Sequence, residues 1–230
     1  MQITSFEQLR EIYKNDARYA FLRFRALTPG ESIYGFALST DDDAYGASGI
    51  ANTEERHAEF LAEYPIDDTF FARWVLIPVA RWAPEEWPAL EGDANILVPD
   101  DPPPDASQFT DQLAFMEAME TFSQRWQSQT GKTFRQFRAK TLRAMVEALR
   151  HLDREGLFWT GRERDRITIF VSISDSEDSS LLEMRSATLA NPRRAARRLT
   201  HVLPFPFPWI VWFAYLWRRL RKGPMIASSL

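Results

Sequence analysis

Apolar residues recur at helical spacing from the start of the chain. Phe6, Leu9, Ile12 and Tyr13 fall three and four positions apart, and Ala17, Phe21 and Phe24 continue the stripe. That period predicts an amphipathic helix. Ser5, with Gln8 three positions later, has the form of a capping box, and Pro29-Gly30 supplies the stop. The next run, SIYGFALST over 32–40, is short, apolar and bounded by turn residues. It predicts a buried strand. Asp41, Asp42 and Asp43 follow, then a turn around Gly46 and Gly49. Asn52-Thr53 ahead of Glu54 and Glu55 marks the entry of a helix that runs to about residue 64. RWVLIPVARW, residues 73–82, has a strand-like centre, but Pro78 cannot donate to a ladder, so an edge strand is expected. Ala83-Pro84 then resembles a helix entry.

VPDDPPPDAS, residues 98–107, is too rich in Pro and Asp for regular structure. It is the one candidate subdomain boundary. Two long helices are expected after it, over 107–129 and 133–154, with Gly156 as the stop of the second. RITIFVSIS, residues 166–174, alternates: Ile167, Ile169, Val171 and Ile173 share one face, while Thr168, Ser172 and Ser174 share the other. Phe170 interrupts the polar face, which indicates a strand covered on both sides. A helix over 178–189, closed by Asn191-Pro192, completes the pattern. The fold class that follows is α+β, with a small, mostly antiparallel sheet and several packed helices. Residues 1–192 form a single domain in this reading, and 193–230 a basic, aromatic C-terminal extension.

The extension carries an unusual distribution of charge. The net charge of the chain is −4. From Asn191 onward there are eight basic residues and no acidic one, which leaves 20 basic against 32 acidic residues before it. Such separation speaks to partners rather than to fold. Trp209 to Trp217 is apolar all the way round, and Trp209, Trp212 and Trp217 are followed by Arg218, Arg219, Arg221 and Lys222. An element of that kind must be sheltered by protein or by lipid. Its helical part is too short for the roughly 30 Å of a bilayer core. Three shelters fit: a membrane surface reached through 193–223, the protein's own core, or another chain.

Candidate chemistry is sparse. There is no cysteine, so disulfides and thiolate ligands are excluded. The N-terminus lacks a secretory pattern, and a cytoplasmic location is expected. Gly131-Lys132-Thr133 lacks the upstream glycine of a phosphate loop, because Trp126 stands in its place. His57, His151 and His201 do not pair at ligand spacing. Two acidic clusters remain: Asp41, Asp42 and Asp43 after the first strand, and Asp175, Glu177 and Asp178 after the strong one. Both read as solvated turns or helix caps, and both are candidate contact surfaces. No catalytic, cofactor-binding or metal-ligating residue is assigned, and no cofactor is expected.

Six short stretches occur in an order that resembles a known family. They are YGFALSTDDDA (34–44), ANTEE (51–55), RWAPEEW (81–87), LDREGLF (152–158), VSISDS (171–176) and LANP (189–192). In these the chain, over about 5–192, resembles the bacterial domain of unknown function 4303 family. The resemblance implies a bacterial α+β protein with no established reaction. It is similar in character to small cytoplasmic proteins that accompany toxin and secretion genes, some of them immunity proteins. The function expected on this basis is a non-enzymatic protein-binding module, an immunity or accessory protein whose partner is a toxin or a second copy of the chain. Two alternatives stand beside it. One is a peripheral protein at the inner face of the membrane, held by the aromatic and basic tail. The other is a metal-dependent hydrolase using Asp175 with the Asp41 to Asp43 cluster. Nucleic acid is not an expected partner.

Overall fold

The computed structural model describes residues 2–63, 81–84, 87, 112–174 and 179–200. The first helix, α1 (Phe6–Leu27), starts where the cap residues place it. The Ser5 hydroxyl accepts from the Gln8 backbone N–H at 3.1 Å. The Gln8 side chain reaches back one residue further than expected, accepting from Thr4 N–H at 2.9 Å. Leu9, Ile12, Tyr13, Ala17, Ala20, Phe21 and Phe24 are buried, the stripe that the spacing predicts.

Three strands form one sheet in the order β2-β1-β3. They are β1 (Ile33–Thr40), β2 (Ser48–Thr53) and β3 (Thr168–Ile173). β1 runs antiparallel to β2 and parallel to β3. With seven helices among the described residues around it, the class is α+β. The helices after α1 are α2 (Glu54–Glu63), α3 (Gln112–Thr130), α4 (Phe134–Arg154), α5 (Gly161–Arg164), α6 (Ser179–Ala190) and α7 (Arg193–Thr200). No helix among the described residues is long and apolar enough to cross a membrane.

β2 differs from expectation. The turn expected through Gly49 ends before it, and Ser48–Thr53 is a strand. SGIANT has only two strand formers, Ile50 and Thr53, so pattern alone hides it. Gly49 is where α1 crosses closest: a Cβ placed there would lie 2.4 Å from the Ala20 Cβ. The glycine is kept for contact with the helix rather than for a turn. Thr53 ends β2 and caps α2, its hydroxyl accepting from Arg56 N–H at 3.1 Å. Of the strand expected over 73–82, residues 73–80 lie outside the described residues, while Arg81 is helical and Trp82 sits in a turn, so the strand does not extend to its expected end. The linker at 98–107 lies outside the described residues.

Both sheet faces are covered, as Phe170 implies. Ile169, Val171, Ile173, Phe36 and Leu38 join the main core with the buried stripes of α1 and α4. On the other face Phe170, Tyr34 and Ala37 pack with Trp82, Trp87, Ala187 and Leu199. A Cβ at Gly35 would come 2.9 Å from the Trp87 ring, so the indole sits against bare backbone.

Among the described residues, the outer edge of β3 is closed by side chains rather than by another strand. Asn191 accepts from Ile169 N–H at 2.9 Å, and its amide donates to the carbonyl of the same residue. Ser186 Oγ accepts from Val171 N–H at 2.9 Å. An edge covered in this way cannot template further strand pairing. Arg164, 5% exposed, locks the arrangement from below. It pairs with Asp153 and donates to Ile167 O at 2.7 Å and to Asn191 Oδ1 at 3.0 Å.

Candidate functional site

The parallel pairing of β1 with β3 decides what lies together. Thr40 pairs with Ile173 in the register, and Ser174 N–H donates to Thr40 O at 2.9 Å. The chain therefore leaves both strands at the same end of the sheet. Asp41, Asp42 and Asp43 follow one strand, and the sequence DSED follows Ser174 on the other. Thr40 and Ser174, each followed in sequence by an acidic stretch and more than 130 positions apart, thus lie side by side. Asp175, Glu177 and Asp178 themselves lie outside the described residues, as do Trp209, Trp212, Trp217, Arg218, Arg219, Arg221 and Lys222.

The first acidic stretch is held in a defined turn. Ala44 N–H donates to Asp41 O at 3.1 Å, and Ala44, fully buried, takes a φ of 56°. Thr40 Oγ1 donates to Gly46 O, closing the loop across its base. The Tyr45 ring meets Phe134 edge-on at 5.8 Å, which ties the loop to the start of α4. All three aspartates are exposed. Arg138, on α4 and 8% exposed, pairs with Asp42 at 2.8 Å. Three exposed carboxylates thus stand together at this end of the sheet, with Arg138 paired to the middle one.

Beneath the loop lie two buried polar groups of α1. Tyr13 is fully buried; burial pushes its phenol well up, and the charges of Asp16 and Asp41 add to that. Asp16 is 1% exposed, and burial raises its carboxyl to about 8. Burial therefore favours its protonated form at neutral pH. The sign for stability follows from linkage. The folded state holds a proton on Asp16 that the unfolded chain has released, so the contribution of this group to stability is greatest at low pH and falls as pH rises from about 4 towards about 8. The expected slope is on the order of 1 kcal/mol per pH unit. Urea unfolding of the wild type and of Asp16→Asn across this range checks it. The variant should show a visibly flatter dependence; the same slope in both would assign the effect elsewhere. The comparison also cancels His57, whose imidazole is lowered by burial and then by Arg81.

Neither Arg138 nor Asp16 was singled out by the sequence reading, yet both carried a signal. Arg138 lies four positions after Phe134 and four before Leu142, and Asp16 lies four after Ile12 and four before Ala20. A charge inside an apolar helical stripe must find a partner or lose its charge.

The other family-like stretches serve a different purpose. Tyr34 Oη donates to Arg81 O at 2.8 Å and accepts from Asn52 Nδ2 at 3.0 Å. Trp87 Nε1 donates to the same carbonyl at 3.0 Å. The Arg81 guanidinium lies 3.9 Å from the centre of the Tyr34 ring and pairs with Glu54. Residues from 34–44, 51–55 and 81–87 thus close on one another as internal ties. Among the described residues of those stretches, Asp41, Asp42 and Asp43 face outward, as do Glu54 and Glu55 at the start of α2. Gly131-Lys132-Thr133 forms the turn between α3 and α4, with Gly131 at a φ of 66°. No group of three or more His, Cys, Asp or Glu able to hold a metal ion occurs among the described residues.

A family model described as "Domain of unknown function (DUF4303)" matches residues 13–192. No curated protein and no solved structure matches the chain.

Proposed function

Because the chain belongs to the domain of unknown function 4303 family, whose description names no reaction, we propose its function from its surface: a bacterial, non-enzymatic protein-binding module whose acidic sheet end engages a basic surface on a partner protein. The observation that carries this reading is the parallel register that starts two acidic stretches at one end of the sheet. Three exposed carboxylates on an anchored turn present fixed charge at little entropic cost. Charge of one sign at one end steers a partner of the other sign and fixes its orientation. A role as an immunity or accessory protein in a toxin or secretion system is the use we infer for such a surface, since occlusion of a partner requires display rather than turnover.

The test is affinity capture from the source bacterium with the full chain and with Asp41→Asn/Asp43→Asn. Both residues are exposed, and Asp42 is left to Arg138. The wild type should retain a partner with a basic surface at low salt and release it at high salt, because exposed charges are screened over about 10 Å at 0.1 M. The double variant should associate about tenfold more slowly. Equal capture by both proteins, at low and high salt alike, would remove the acidic end from the function.

A further inference from the structure

Helix α7 gives the molecule a second pole. Its inward face is spent on the protein: Ala195, Ala196 and Leu199 are buried. Leu199 joins Phe170 and the two tryptophans in the core of the second sheet face. Thr168 Oγ1 donates to Ala195 O at 2.8 Å, which fixes the helix at the start of β3. The outward face is what remains, and it holds Arg193, Arg194, Arg197 and Arg198, all exposed. Arg166, exposed at the entry of β3, joins them, because Arg198 donates to Arg166 O at 2.6 Å. Arg194 is 3.5 Å from Asp165 and Arg166 is 3.0 Å from Glu163. Arg193 and Arg197 have no acidic partner among the described residues. Exposed pairs of this kind exchange readily with other anions.

We propose that this five-arginine face docks on an anionic phospholipid surface. Charge is the first reason: the face is cationic and its apolar stripe is already used, so α7 contributes attraction without insertion. The chain beyond Thr200 is the second. Three residues on, it reads PFPFPWIVWFAYLWRRLRKG, aromatic residues followed by cations, which is the composition favoured at the headgroup level of a bilayer. A nucleic-acid phosphate would answer the arginines alone; a phospholipid interface answers both the arginines and the aromatic sequence that follows them. Topology gives the docking a direction. The arginine face lies at the start of β3 and the Asp41 to Asp43 loop at the opposite end of the sheet, about 20 Å away along a six-residue strand. A membrane that holds one pole leaves the other in solution. The proposal stands independently of the partner-protein reading, since lipid binding is measured without any partner.

The experiment is flotation of the full chain with vesicles of phosphatidylcholine alone and of phosphatidylcholine with phosphatidylglycerol. It is run for the wild type, for Arg193→Gln/Arg194→Gln/Arg197→Gln and for Arg193→Lys/Arg194→Lys/Arg197→Lys. The wild type should float with the anionic vesicles and stay behind with the neutral ones. Each lost charge should weaken binding about fivefold, so the glutamine variant should bind roughly a hundredfold less well. The lysine variant keeps the charge and should float like the wild type. Its retained binding, with an unchanged far-UV circular dichroism spectrum for both variants, separates loss of charge from loss of fold. Failure of the wild type to float with anionic vesicles would overturn the proposal. So would equal flotation of the glutamine variant, or binding of a single-stranded RNA oligonucleotide by a wild type that ignores the vesicles.

Discussion

Asn191→Ala should lower the unfolding free energy by about 3–5 kcal/mol. The side chain makes four hydrogen bonds: it accepts from Ile169 N–H and from Arg164, and it donates to Ile169 O and Ala187 O. Ile169 is fully buried. Truncation strands both of its outward backbone groups, and each unsatisfied buried group costs about 1–3 kcal/mol. A small domain has only about 5–15 kcal/mol in total, so the variant loses a large share. The midpoint of thermal unfolding should fall by roughly 10 °C. Asn191→Asp should do little better: it keeps an acceptor for Ile169 N–H but sets a carboxylate against Ile169 O. A midpoint within about 2 °C of the wild type would show that the edge of β3 does not depend on this side chain.

Arg164→Ala should cost a similar amount, about 3–5 kcal/mol, by a different route. The guanidinium is a buried cation whose partner, Asp153, has a side chain only 21% exposed. Removing one member of a buried pair leaves the other charge uncompensated. The Ile167 carbonyl loses its donor as well. Arg164→Lys should recover little, because an ammonium lacks the planar fork that reaches Asp153, Ile167 and Asn191 together. The two predictions are coupled. Arg164 and Asn191 share a hydrogen bond, so the double variant should be less destabilised than the two single losses added together, by about 1 kcal/mol. Strict additivity in urea unfolding would mean that the two residues act separately.

These ties also explain what the sequence could and could not reveal. α1, α4 and β3 were legible because apolar spacing sets each of them: the stripe from Leu9 to Phe24, the run from Phe137 to Leu152, and the alternation around Val171. β2 was not, because its identity depends on a helix packed across it; Gly49 reads as a turn until Ala20 is placed over it. The family-like stretches stood out as words, but their meaning is tertiary. LANP matters through Asn191 and the edge of β3, and LDREGLF through Asp153 and Arg164. VSISDS matters through Ser172, whose hydroxyl donates to the buried Glu183 at 2.6 Å. The two acidic clusters were each visible. Their common origin at one end of the sheet was not, since it follows from a parallel register across more than a hundred intervening residues. Arg138 and Asp16 were hidden for the opposite reason: helical periodicity absorbs an isolated charge into an apolar stripe unless each position is checked against its neighbours.

The first eight residues of the expected C-terminal extension illustrate the same limit. The change of composition at Pro192 is sharp, and the family match ends there. The chain nonetheless folds straight on, with α7 delivering Leu199 to the core and four arginines to the surface. Composition registers the charge of a segment, and only packing shows which of its faces remains free to use that charge.

The central claim is that the acidic end of the sheet is where a partner protein sits. Photocrosslinking in the living bacterium reads this directly. A photoreactive amino acid is placed at position 43, in the acidic loop, and in a second strain at position 143, on the exposed side of α4. The account predicts one specific protein adduct from position 43, diminished by Asp41→Asn and absent from position 143. Adducts from both positions alike, or a position-43 adduct that Asp41→Asn leaves untouched, would contradict it.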